Sequence, residues 1–203
     1  SYFNIRALEE FPGFINQGLK LSQDEWLKVN EEVIADSSRS FNQHIYAAKV
    51  LAAFGNSKGK EILLKGIQGD FKVYDLFSPK HHFSGKVQVD IKKRIYVQSV
   101  FSLAQLKDWM AVGPLKNIFS GSADYSSQER VQAAIDLNSF EDKTAIDLYL
   151  KFSSDPDEKV RLACIQILDK YEDQRIFDVF ISRLSDNSDD IVNASIAGLT
   201  KIN

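Results

Sequence analysis

The chain has 203 residues, 44% of them hydrophobic and 26% charged, with a formal net charge of -3. These are ordinary globular values: they allow a sizeable buried core, exclude an extended or low-complexity polymer and give no global reason to expect nucleic acid. The one cysteine, Cys164, excludes an internal disulfide and a cysteine-based zinc site, and the absence of any long apolar run or signal-like start points to a cytoplasmic protein without a membrane span, although a signal peptide already removed would leave no trace.

Ser1 to Leu21 reads as one or two short helices interrupted at Pro12-Gly13. Ser22-Gln23-Asp24-Glu25 is a capping box, in which a serine hydroxyl and a glutamate three residues on satisfy each other's backbone amides. The helix it opens completes a divergent N-terminal cap over residues 1–40. From Phe41 the pattern is amphipathic, with Ile45, Ala48, Val50-Leu51 and Phe54 on one stripe and Gly55 closing the helix. A second helix, Lys58 to Ile67, makes a hairpin with it. Gly55 to Lys60 has a glycine–lysine flavour but lacks phosphate-loop spacing, so it reads as a helix–helix turn. Residues 69–92 read as an inserted loop, with Pro79, Gly85 and the pair His81-His82. Val87, Val89 and Ile91 alternate there, which suits a short strand or a longer helix tip.

Helical patterning resumes from Arg94 to Leu106. Pro114 opens a short helix at a position where its missing N–H costs nothing. Ser126-Ser127-Gln128-Glu129 is a second capping box, and Asp142 to Phe152 pairs with the helix it starts. Asp155 is expected as the next N-cap, with Pro156 at the first helical position and Val160, Ala163-Cys164, Ile167 and Leu168 as the buried stripe. Asp173 to Leu184 is its partner, and Asp190 to Ile202 resembles the first helix of another unit. Equivalent openings fall at Ile45, Ile95, Val131, Val160 and Ile191, the last three 29 and 31 residues apart. A period near thirty built from helix pairs predicts an α-helical solenoid in which each unit buries its stripe against its neighbours.

Asp155-Pro156-Asp157-Glu158-Lys159-Val160-Arg161-Leu162-Ala163-Cys164, and its echo from Asp186 to Gly198 with Asn193 where arginine is usual, resemble the HEAT repeat in its short phycobilisome-lyase-like variant. The resemblance implies an all-α, right-handed α-α superhelix spanning residues 1–203 as a single domain. Its units are expected at 41–68, 93–120, 126–153, 155–185 and 189–202, broken by the 69–92 insertion. It also implies that the second helix of each unit lines a concave surface.

No catalytic constellation is legible. His44, His81 and His82 include no His-Glu pair, which removes the helical zinc-protease motif and, within the resembled fold, the di-iron ligands of deoxyhypusine hydroxylases. No metal and no cofactor is expected. Charge is uneven: Lys58 to Arg94 holds nine Lys/Arg against four Asp/Glu, whereas Asp124 to Asp190 holds eight against sixteen. The acidic half disfavours nucleic acid. The expected function is therefore a non-catalytic scaffold for a protein or peptide, bound through the concave face and the 69–94 insertion. The candidate residues are His81, His82, Lys86, Lys92, Lys93 and Arg94 around the insertion. On the second helices they are Lys143, Asp147 and Lys151 at i, i+4, i+8, then Arg175 and Asp178. Intrahelical ion pairing is the alternative explanation of the Lys143 set. The alternative function is an enzyme-associated repeat domain, either a phycobilin-lyase-like subunit or a C-terminal helical domain of a larger enzyme.

Overall fold

The computed structural model describes residues 22–69 and 85–201, without the side chains of residues 85–88. The helices expected over residues 1–21 and the pair His81-His82 lie outside the described residues. Among the described residues the fold is all-α, with ten α-helices and no strand. The chain divides into two compact units, Ser1–Ala111 and Val112–Asn203.

The first unit holds α1 (Gln23–Ala35), α2 (Phe41–Ala53), α3 (Ser57–Gln68), α4 (Gly85–Gln105) and a 3-10 turn, Trp109–Ala111. The Ser22–Glu25 capping box starts α1 as expected, and Ser40 with Gln43 forms another at the start of α2. Helix α2 is central: it packs against α1, α3 and α4, and Ile45, Ala48, Val50 and Leu51 are buried. Gly55 follows α2 at φ 81°. Gly59, two residues into α3, meets α2 so closely that a Cβ there would lie 2.4 Å from the Ala48 carbonyl oxygen. The glycine next to Lys60 is thus a packing residue of a helical hairpin.

Helix α4 corrects one expectation. It begins at Gly85, so residues 85–92 are helical rather than loop or strand. From Lys86 to Arg94 the chain has no glycine or proline to break a helix that must form from Arg94 onward. Val89 is 65% exposed and Ile91 is half-buried, so neither marks a buried strand face. The buried side of α4 is Ile95, Val97, Val100, Leu103 and Ala104.

The second unit holds α5 (Val112–Ser120), α6 (Ser127–Asn138), a 3-10 turn (Lys143–Ala145), α7 (Ile146–Phe152), α8 (Glu158–Leu168), α9 (Gln174–Arg183) and α10 (Asp189–Lys201). First helices stack in order, α6 on α8 and α8 on α10, while the second helix α7 meets α9. The core between the rows is Phe119, Leu137, Tyr149, Cys164, Ile165, Leu168, Ile176 and Phe180. Burial raises the thiol pKa of Cys164 well above its ordinary value, so it packs as a small apolar side chain. Pro114 sits in the first turn of α5, two residues after the helix begins, where its amide still needs no intrahelical partner.

Two further details differ from the sequence reading. The N-cap of α8 is Asp157, whose carboxylate accepts from the amides of Lys159 and Val160; Asp155 and Pro156 lie before the helix. The register also shifts. The residues preceding α6, α8 and α10 are Ser126, Asp157 and Ser188, which are 31 residues apart at both steps. Val131 is therefore the equivalent of Leu162, and the apparent 29-residue spacing to Val160 arose from matching two valines on different sides of their helices.

Candidate interaction surface

The 31-residue register brings together residues that no local motif relates. Arg130 on α6 forks onto Asp155, at 3.1 and 2.5 Å, and its Nε donates to the Phe119 carbonyl at 2.9 Å. Its guanidinium also lies 5.4 Å from the Phe152 ring centroid. Both side chains are almost fully buried, at 4% and 2% exposure. One repeat later, Arg161 on α8 forks onto Asp186 at 2.9 and 2.8 Å, and donates to the Asp155 and Pro156 carbonyls. Each arginine of a first helix thus clamps the acidic turn that precedes the next first helix. Hydroxyl bridges repeat the pattern: Ser127 donates to Asp157, and Ser188 to Glu158.

The clamps set the electrostatics. Arg161 holds the Asp186 carboxyl below its ordinary value, and the Ser127 hydroxyl does the same for Asp157, each against an opposing desolvation. Asp155 was expected to cap a helix. Its carboxylate instead satisfies Arg130 and accepts from the Asp157 amide at 2.9 Å. These acids are structural; exposed charges also lie along the second helices.

That face is laced by its own charges. Lys116 on α5 reaches the Asp142 carboxylate and the Thr144 hydroxyl, both at 2.7 Å. Arg175, at the start of α9, bridges Asp147 on α7 at 2.7 Å and Asp173 at 2.7 Å. Arg175 holds Asp173 down to about 2. Lys143 lies in the 3-10 turn, so the expected helical i, i+4, i+8 row is interrupted before Asp147. Asp147 pairs across the repeat, and Lys151 sits 5.1 Å over the Phe152 ring. Asp178 is exposed and makes no ion pair among the described residues.

In the first unit, Arg94 is exposed and stacks 5.3 Å over the Phe41 ring, while Lys92 and Lys93 are half-buried on α4. Lys86 belongs to α4, but its side chain is outside the description. His44 is buried with its Nδ1 2.9 Å from the Ser40 carbonyl oxygen, and burial lowers its pKa. Among the described residues no group of three His, Cys, Asp or Glu is placed to hold a metal ion, and no helix is long and apolar enough to cross a membrane.

Sequence reasoning singled out Arg161 and missed Arg130. The available signal was the spacing, since both arginines precede their aspartate by 25 residues. No curated protein matches the chain. Residues 114–200 match the family model of HEAT repeats, and over that segment the described helices stack in sequential pairs consistent with such an array.

Proposed function

We propose that the protein is a non-catalytic scaffold that holds a protein or peptide along the second helices of its HEAT-repeat unit. The observation that carries this reading is the row Lys116–Asp142, then Asp147–Arg175–Asp173, then Asp178, charges of both signs that follow the repeat, half-buried at Lys116, Asp142 and Asp173 and exposed at Asp147, Arg175 and Asp178. The most exposed of these pairs, Asp147–Arg175, contributes little to stability, because solvent screens it and long side chains lose entropy in holding one geometry. Its charges can exchange partners at small cost, which suits recognition of a charged chain. HEAT repeats are generally protein-interaction scaffolds, which supports the same reading. The 69–94 region, with Lys92, Lys93 and Arg94, is a second contact in this proposal, as are His81, His82 and Lys86. The 31-residue period supports the short phycobilisome-lyase-like form of the repeat.

Affinity capture with crosslinking tests it. Wild type should recover a specific protein whose crosslinks fall on α7 and α9. Asp147→Lys with Arg175→Glu should lose it while the chain keeps its melting temperature. Crosslinks confined to the first-helix row would overturn the reading. Lys92→Glu with Lys93→Glu should weaken capture if α4 contributes.

A further inference from the structure

A groove of about 630 Å³ runs between α6 and α8, the first helices of two successive repeats. Its apolar lining includes Val131 and Ile135 from α6 and Leu162 from α8; Ile135 is 49% exposed and the other two are half-buried. Gln128 and Gln166 also line it, both exposed and without a side-chain hydrogen bond among the described residues, while Gln132 gives one amide proton to Asp136. Lys159, in the first turn of α8, and Lys170, two residues past its end, complete the lining.

The groove lies within the array. Helix α8 packs against α6, α7 and α10, and α9 packs against α7 and α10. A further helix pair continuing the array would stack on α9 and α10 and leave this groove open. Nor does the groove recur with the repeat: 31 residues on, Lys159, Leu162 and Gln166 are replaced by Asp190, Asn193 and Ala197.

Its charge stands out from its surroundings. From Asp124 to Asp190 acids outnumber bases sixteen to eight, and Arg130, Arg161, Arg175 and Arg183 each pair with an aspartate. Lys159 and Lys170 are exposed and make no ion pair among the described residues. Residues 1–21 and 70–84 of the same chain each hold two acids and two bases, so neither has an acidic excess to answer them.

We propose that the α6–α8 groove binds an extended acidic segment of a partner protein. Side-chain amides each offer donors and an acceptor, which suit main-chain N–H and C=O groups that a helix would already have satisfied within itself. Lys159 and Lys170 are eleven residues apart, about 16 Å of helix rise, which an extended chain covers in about five residues. The segment carries Asp or Glu near each end. Its apolar side chains, at alternate positions between, pack on Val131, Ile135 and Leu162. The groove lies on the first helices, whereas the scaffold contact proposed above lies on the second, so each can fail without the other.

The test is fluorescence anisotropy of a labelled peptide against the whole chain. The peptide has Glu at both ends of this span and Val or Ile at alternate positions between. The controls are the same peptide with Lys at both ends, and one of similar composition stapled into a helix. Saturable binding of the extended acidic peptide alone is expected, weakening as salt is raised. Lys159→Glu and Lys170→Glu should each weaken it severalfold, with recovery when the Glu at one end of the peptide becomes Lys. Ile135→Asp, at an exposed position and checked by circular dichroism, should weaken it about tenfold. Asp147→Lys with Arg175→Glu should leave it unchanged. Equal binding of either control, indifference to Lys159→Glu and Lys170→Glu, or loss on Asp147→Lys with Arg175→Glu would overturn the proposal. So would carbodiimide crosslinks in the chain alone that join Lys159 or Lys170 to an acid of residues 1–21 or 70–84, because the occupant would then be the chain itself. A dimer dispersed by Ile135→Asp in light scattering would overturn it equally, with a second copy as the occupant.

Discussion

Arg130 and Asp155 show how much one pair can decide. An arginine and an aspartate this deeply buried are expensive to desolvate, and here the fork geometry, the Phe119 carbonyl and the Phe152 ring compensate. Removing one partner leaves the other charge buried alone. Asp155→Ala should therefore cost about 3–5 kcal/mol, read from the denaturant midpoint, whereas Arg130→Met with Asp155→Leu should cost far less. A smaller loss for the single variant than for the double would contradict this account. Gly198 is a second point of close fit. A Cβ there would lie 2.3 Å from a ring carbon of Phe180. Gly198→Ala should destabilise by about 1–3 kcal/mol through overpacking, and Phe180→Leu in the same chain should recover part of that loss.

At the scale of the element, capping explains where helices start. Ser126 accepts from the Glu129 amide while Glu129 accepts from the Ser126 amide at 2.7 Å. Ser126→Ala should cost about 1 kcal/mol, visible in thermal melts and as faster hydrogen exchange in the first turn of α6. Such boxes are legible because both partners sit three residues apart in the chain. The start of α8 was harder to place. Asp155, Asp157 and Glu158 are all plausible first-turn acids, and only the pairing of Asp155 with Arg130 leaves Asp157 to cap. For helix α4 the sequence left a loop, a short strand and a longer helix tip open, and the helix tip is what forms. Val87, Val89 and Ile91 suggest a strand by alternation, yet a helix once nucleated extends cheaply through any run lacking glycine and proline.

For the molecule as a whole, the acidic turns tie stability to pH. Asp142, Asp157, Asp173 and Asp186 all have folded pKa values below the ordinary 3.8. A depressed folded value means that the unfolded chain binds these protons more readily. The contribution is complete above the unfolded value and fades as pH falls through the folded ones. Urea stability should be flat from neutrality to about pH 5 and fall steeply below about pH 4. Asp186→Asn should be less stable at neutral pH and lose less on acidification. An equally steep fall in that variant would show that Arg161–Asp186 does not carry the effect.

The sequence by itself determined the helices, their apolar stripes and the fact of repetition, because these follow from contacts three or four residues apart and from turn chemistry. Tertiary structure decided the register, the roles of the acids and which face is exposed. Arg130 meets Asp155 and Arg161 meets Asp186 only after the second helix between them, α7 or α9, has packed, and Ile165 and Ile196 have the same local pattern but opposite exposure. Whether a side chain becomes a clamp, a cap or a docking surface depends on the neighbour that covers it. In a repeat array that neighbour lies about thirty residues away, beyond the reach of any local rule.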